Sequence, residues 1–159
     1  MKLTGSCHCG AARFTVTAYA PAPYLRCYCS ICRKTAWGSG YAINLGAKAD
    51  TLQVEGAENI TMFHATIDGK QSKGERRFCR HCGSALWVYD PAWPDYVHPF
   101  ASAIDSKLPT PPENVHMMLA SKANWVQVDK ANGDTCHDTY PKQSLEEWHR
   151  AHGIMDIES

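Results

Sequence analysis

Cys27-Tyr28-Cys29-Ser30-Ile31-Cys32 runs straight into Arg33 and Lys34, so three thiols fall within six residues and two cations sit against the last of them. Core filling does not account for this stretch. A buried cysteine behaves as a small hydrophobe, and three in one turn-sized segment contribute little apolar volume. They do contribute three soft sulfur donors that can converge on one metal ion. The number of donors matters too. A structural zinc site is closed by four protein ligands, whereas a catalytic one keeps three and leaves a position for water or substrate.

Working outward, Cys7-His8-Cys9 and Cys79-Arg80-His81-Cys82 supply four further thiols. Cysteines two or three positions apart across a turn point their sulfurs the same way, and two such pairs far apart in sequence can pin distant hairpins together. Cys7, Cys9, Cys79 and Cys82 then form one complete zinc site that holds the fold. Cys27, Cys29 and Cys32 form an incomplete one that does chemistry, giving two zinc ions per chain. Spacing also permits another pairing, in which Cys79 and Cys82 join two of the central trio and leave Cys7 and Cys9 loose. It permits, as well, a closed trio whose fourth ligand is His64, His98 or His116, although none of these has a recommending spacing. His8 and His81 lie inside the cysteine loops and read as neighbours of the ligands or as exposed side chains. Arg33 and Lys34 are placed to hold a substrate carboxylate, or else form a solvated basic turn. Cys136, beside His137, reads as a loop thiol. The competing reading, a nucleophile that attacks a sulfoxide, leaves the trio unexplained.

Bulk properties narrow the function classes. In 159 residues, Lys plus Arg is 16 and Asp plus Glu is 16. That balance leaves no electrostatic footprint for nucleic acid or an anionic membrane. No apolar run approaches the roughly 20 residues needed to span a bilayer. Met1 to Cys7 lacks the apolar segment of a secretory signal. The expected compartment is therefore the reducing cytoplasm, where eight cysteines point to metal and not to disulfides.

Hydrophobic patterning predicts a mainly β chain, a single zinc-binding domain over residues 1–159. Expected strands cover Ala12–Thr17, Tyr41–Leu45, Thr51–Glu55, Ile60–Thr66, Gly74–Cys79, Ser84–Tyr89, Val97–Ile104, His116–Ala120 and Asn124–Val128. Asp68-Gly69 marks a hairpin turn, and the strands around Cys79–Gly83 resemble a zinc ribbon. Ser30 is the expected cap of a short helical turn over Ile31–Thr35. Ser144-Leu145-Glu146-Glu147 is a capping box that opens a C-terminal helix through His152, with Leu145 and Trp148 on its apolar side. The tryptophans read as core, with Trp93 at a pocket mouth between Pro91 and Pro94.

Taken together, Gly5-Ser6-Cys7-His8-Cys9-Gly10, Cys27 to Lys34, and Phe78-Cys79-Arg80-His81-Cys82-Gly83-Ser84 resemble the glutathione-dependent formaldehyde-activating enzyme family, which includes the centromere protein V-like proteins. The likeness runs from about Ser6 to about Trp125, and all seven motif cysteines match in order and spacing. It implies a zinc-stabilised, tent-like β fold with a family-like core of about 5–128. It assigns Cys7, Cys9, Cys79 and Cys82 to a structural zinc and Cys27, Cys29 and Cys32 to a catalytic one. The implied activity is a carbon–sulfur lyase reaction, in which glutathione and formaldehyde join or part as a thiol–aldehyde adduct. The alternative within the same likeness is a non-catalytic zinc module that binds a protein. The chain departs from the family at Tyr28, where a histidine is common, and in the tail beyond Trp125.

Overall fold

A computed structural model of the chain describes residues 1–36 and 38–154. Twelve strands are present among them: β1 (Lys2–Ser6), β2 (Arg13–Thr17), β3 (Tyr24–Cys27), β4 (Ala42–Asn44), β5 (Ala47–Lys48), β6 (Gln53–Glu55), β7 (Ile60–Ile67), β8 (Lys70–Cys79), β9 (Ala85–Tyr89), β10 (Tyr96–Pro99), β11 (Asn114–Met117) and β12 (Thr135–Cys136). Two short helices join them, α1 (Ser30–Thr35) and α2 (Leu145–Ala151). The strands form three sheets, ordered β1-β2-β6, β5-β10-β9-β8-β7 and β12-β11-β3-β4. The chain is mainly β with a short C-terminal helix, as the patterning predicts.

Alternation on β1 and β2 turns Leu3, Phe14 and Val16 inward, where they meet Leu45, Leu86, Trp87 and Val97. The Phe14 and Trp87 rings pack edge to face at 5.2 Å. Gly5 is required here, because a Cβ would run into the Phe14 ring and the Ala103 carbonyl. A second buried cluster, Cys27, Cys32, Ala36, Ala42, Ala85, Phe100 and Met117, lies under the trio. The Asp68-Gly69 turn joins β7 to β8 with both residues at positive φ, 50° and 75°. That is the backbone twist a tight hairpin needs.

Several expected elements differ. The strand expected over Val97–Ile104 stops at Pro99; the Phe100 N–H still reaches the Leu86 carbonyl at 3.0 Å, and Ala101–Ala103 then form a 3-10 turn closed by the Ala103 N–H on the Phe100 carbonyl at 2.9 Å. The strand expected at His116–Ala120 lies earlier, at Asn114–Met117. Met118 takes a left-handed φ of 62° and ends it, and Leu119–Ser121 coil into a 3-10 turn. No strand forms over Asn124–Val128, where the Val126 N–H closes a turn on the Ala123 carbonyl at 3.1 Å. The cap of α1 is Cys29, not Ser30. Of the tryptophans expected in the core, Trp125 is 63% exposed while Trp87 and Trp148 are buried; Trp93, expected at a pocket mouth, is 53% exposed. Trp37 lies outside the described residues.

The tail is docked by specific contacts. Ser144 and Glu147 form the reciprocal capping box at the start of α2. Trp148 Nε1 donates to Glu113 Oε1 at 2.8 Å, and the buried His149 donates through Nε2 to the Ala22 carbonyl at 2.8 Å. Leu145 sits against Gly46, where any Cβ would collide with it. Among the described residues no helix is long and apolar enough to cross a membrane.

Candidate metal centres

Two groups of thiols assemble. In the first, the sulfur atoms of Cys7, Cys9, Cys79 and Cys82 all lie within 4.8 Å of one another. The turn after β1 carries two of them, closed by the Gly10 N–H on the Cys7 carbonyl at 3.0 Å. The turn after β8 carries the others, closed by the Gly83 N–H on the Cys79 carbonyl at 2.9 Å. The Cys7–Cys9 and Cys9–Cys79 sulfurs are 3.6 and 3.7 Å apart. A disulfide would need about 2.05 Å. A tetrahedron of sulfurs around zinc at about 2.3 Å has edges of about 3.8 Å. The donor set and spacing fit a tetrahedral thiolate-bound metal.

Backbone and hydroxyl groups tune this site. The Ala12 N–H donates to Cys7 Sγ at 3.2 Å. Hydrogen bonding from the Ser84 hydroxyl, with help from the Ser84 and Cys9 backbone N–H groups, brings the Cys82 thiol down to about 5. Neither loop histidine joins the group: His8 is exposed, and His81 pairs through Nε2 with Asn59 Oδ1 at 2.8 Å.

The second group is Cys27, Cys29 and Cys32, again within 4.8 Å. Cys27 ends β3, Cys29 caps α1, and Cys32 lies in its first turn. Cys27 and Cys32 are 5% and 4% exposed, while Cys29 is half-buried. The Cys29 sulfur accepts the Cys32 N–H at 3.3 Å. Hydrogen bonds from the Cys27 and Cys32 thiols, then from the Cys32 and Ile31 N–H groups, hold Cys29 well below the usual thiol range. Cys27 is pushed up, because its hydrogen bond is to Cys29 and it is buried. The Cys27 hydrogen bond lowers Cys32, but its hydrogen bond to Cys29 and its burial push it up overall, so negative charge collects on Cys29.

Among the described residues no histidine or carboxylate completes this group. His64 Nδ1 donates to the Gly74 carbonyl at 3.1 Å, and His98 stacks on Tyr96. His116 is fully buried between two partners, Tyr28 Oη at 2.8 Å on Nδ1 and Asp134 Oδ2 at 3.2 Å on Nε2. Burial works against ionisation of Asp134, yet the Asn114 and Ala131 N–H groups, His116 and the Asn114 amide hold it well below the carboxylate range. Both ring nitrogens of His116 are therefore paired, Nε2 with the Asp134 carboxylate and Nδ1 with the Tyr28 hydroxyl. This buried chain anchors the residue between Cys27 and Cys29.

Arg33 is half-buried, with an Nε that is buried and unpaired among the described residues, and Lys34 is exposed. Patterning missed Arg76. It donates to Cys32 Sγ from Nη1 at 3.7 Å and Nη2 at 3.6 Å, and to Thr35 Oγ1 at 3.4 Å. No local spacing could have found it; the register of β8 in its sheet brings it over α1. Tyr140 was missed for the same reason. Its phenol is pushed up by burial and by the charges of Cys27, Cys29 and Cys32, with Arg76 opposing, and its ring lies 6.5 Å from Trp93. Cys136 is exposed on β12 and belongs to neither group.

Comparison with known proteins agrees with this geometry. A protein of Halomonas elongata named "Putative glutathione-dependent formaldehyde-activating enzyme" is 59% identical over 156 residues, covering 98% of this chain and 99% of its own length. A crystal structure of a Rhodobacter sphaeroides protein aligns with a TM-score of 0.52 at 28% identity, over 67% of this chain and 91% of that one. The family model described as glutathione-dependent formaldehyde-activating enzyme matches residues 2–137, twelve residues beyond Trp125 and through Cys136. With both cysteine groups inside that span, the chain belongs to the glutathione-dependent formaldehyde-activating enzyme family.

Proposed function

We propose that this protein is a zinc-dependent carbon–sulfur lyase that forms or cleaves a thiol–aldehyde adduct, with glutathione and formaldehyde as its substrates, acting as one cytoplasmic domain that binds two zinc ions. The observation that carries this reading is the inequality of the two thiol groups: four sulfurs in one, three in the other, with no histidine or carboxylate joining the second among the described residues. In the reaction the thiol sulfur bonds to the aldehyde carbon, the carbonyl π pair moves to oxygen, and the thiol proton ends on that oxygen. A zinc ion at Cys27, Cys29 and Cys32 would supply Lewis acidity for the incoming sulfur or oxygen. Cys7, Cys9, Cys79 and Cys82 hold the structural ion in this reading. Cys29 is the most accessible member of the trio, and holding both reactants beside it would convert a two-body encounter into a local one. Arg33 and Lys34 anchor a glutathione carboxylate at the end of α1.

The test is zinc content per chain, with and without glutathione, for the native protein and Cys29→Ser. Two zinc ions are expected natively, one of them perturbed by glutathione, and one ion in the variant. Exchange of carbon-13 formaldehyde into the adduct, which also forms without a catalyst, is then expected to run faster with native protein than with Cys29→Ser or with no protein, read by NMR. Two inert ions in both proteins would leave a non-catalytic zinc module as the better reading.

A further inference from the structure

We infer that Arg76 is the charge-balancing partner of the three-cysteine centre, the residue that lets an anionic thiol enter as a fourth ligand. The inference rests on the reading that the trio holds a metal.

Arg76 reaches the centre from β8, a different sheet from the one that carries Cys27. Two of its nitrogens face the same atom, Cys32 Sγ, at 3.6 and 3.7 Å. Its third contact explains the aim of the fork. The Thr35 hydroxyl donates to the Ile31 carbonyl at 2.7 Å, which leaves an oxygen lone pair for Arg76 Nη1 at 3.4 Å. Charge counting gives this contact a purpose. Three thiolates on a divalent ion carry one net negative charge, and an incoming thiolate would raise it to two. Cys32 is 4% exposed, so water screens this excess poorly. One guanidinium on the Cys32 sulfur removes a full charge, and N–H···S bonds to an ionised sulfur are of the stronger, charge-assisted kind. Among the described residues neither Arg33 nor Lys34 donates to a trio sulfur, whereas Arg76 does. Arginine suits the place because its fork is planar and permanently charged.

Arg76 acts through Cys32 and is therefore a positioning residue. The experiment loads cobalt(II) into native protein, Arg76→Met, Arg76→Gln and Arg76→Lys, and records the sulfur-to-cobalt charge-transfer bands with and without glutathione. Native protein should take two cobalt ions, and glutathione should change the band of one. The four-cysteine cobalt band reports that each variant is folded. In Arg76→Met and Arg76→Gln the second band should shift, and the KM for the thiol should rise about tenfold, with kcat changed less. Lysine should recover part of both effects, since it restores the charge but not the fork. Unchanged bands and thiol affinity in Met and Gln would overturn the inference, as would a loss that lysine does not improve. A native protein that binds one cobalt ion would overturn the metal reading itself, which is a separate result.

Discussion

Tyr28 shows how a single side chain can be fixed by groups far from it in sequence. Its hydroxyl is committed to His116, and His116 to Asp134, all three with little or no exposure. Replacing it by phenylalanine keeps the ring, which packs against Tyr41 at 5.0 Å, and leaves His116 Nδ1 buried without a partner. Such a loss costs about 1–3 kcal/mol. Tyr28→Phe is therefore expected to lower the urea midpoint without changing the slope of the transition. A midpoint equal to native would show that the chain of hydrogen bonds contributes nothing to folding.

At the scale of the element, α2 is a short helix that stays docked because its inner face is anchored. His149 is fully buried, donates to the Ala22 carbonyl, and lies beside Trp148, Tyr19 and His152. Burial depresses its basicity, the Ala22 hydrogen bond partly opposes this, and the nearby His152 lowers it further. The unfolded chain therefore takes up a proton near pH 6.5 while the folded one resists. Stability from this group is fully present above about pH 6.5 and falls as pH drops through the lower, folded value. Thermal melts between pH 7.5 and 5.5 should show native protein losing stability faster than His149→Gln, which has no such proton to gain. Parallel curves would exclude His149 as the source.

For the whole molecule, the two cysteine groups should have separate consequences. Cys7 and Cys9 follow β1 in the first sheet, and Cys79 ends β8 in the second, so the four-thiol group fastens two sheets together. The trio lies within one segment, Cys27 to Cys32, and fastens little beyond it. Metal at a site that ties distant segments contributes directly to folding, by several kcal/mol or more. Cys79→Ser is expected to unfold at a much lower temperature than native protein, or not to fold. Cys29→Ser should melt within a few degrees of it while losing its second metal. Equal shifts in the two variants would contradict this division.

Much of this was legible in the sequence, because the signals were local. Cysteine spacing marked the thiols that assemble, with the pairing left between two arrangements, and Asp68-Gly69 marked the β7–β8 turn and Ser144 with Glu147 the cap of α2. Turn geometry and capping depend on a few neighbouring residues, so they survive without knowledge of the rest. What patterning missed depends on pairing between distant segments. The two-residue strands β5 and β12 exist only through their partners β10 and β11. The strands expected around Pro99 and Met118 were cut short by a 3-10 turn after Phe100 and by one left-handed residue. Arg76 reaches Cys32, and His116 reaches Tyr28, across 44 and 88 residues. The sequence by itself determined which atoms can bind metal, since donor chemistry belongs to the residue. Only the tertiary structure decided that, among the described residues, no histidine or carboxylate joins the trio while an arginine reaches its sulfur, because sheet register sets which distant side chains meet.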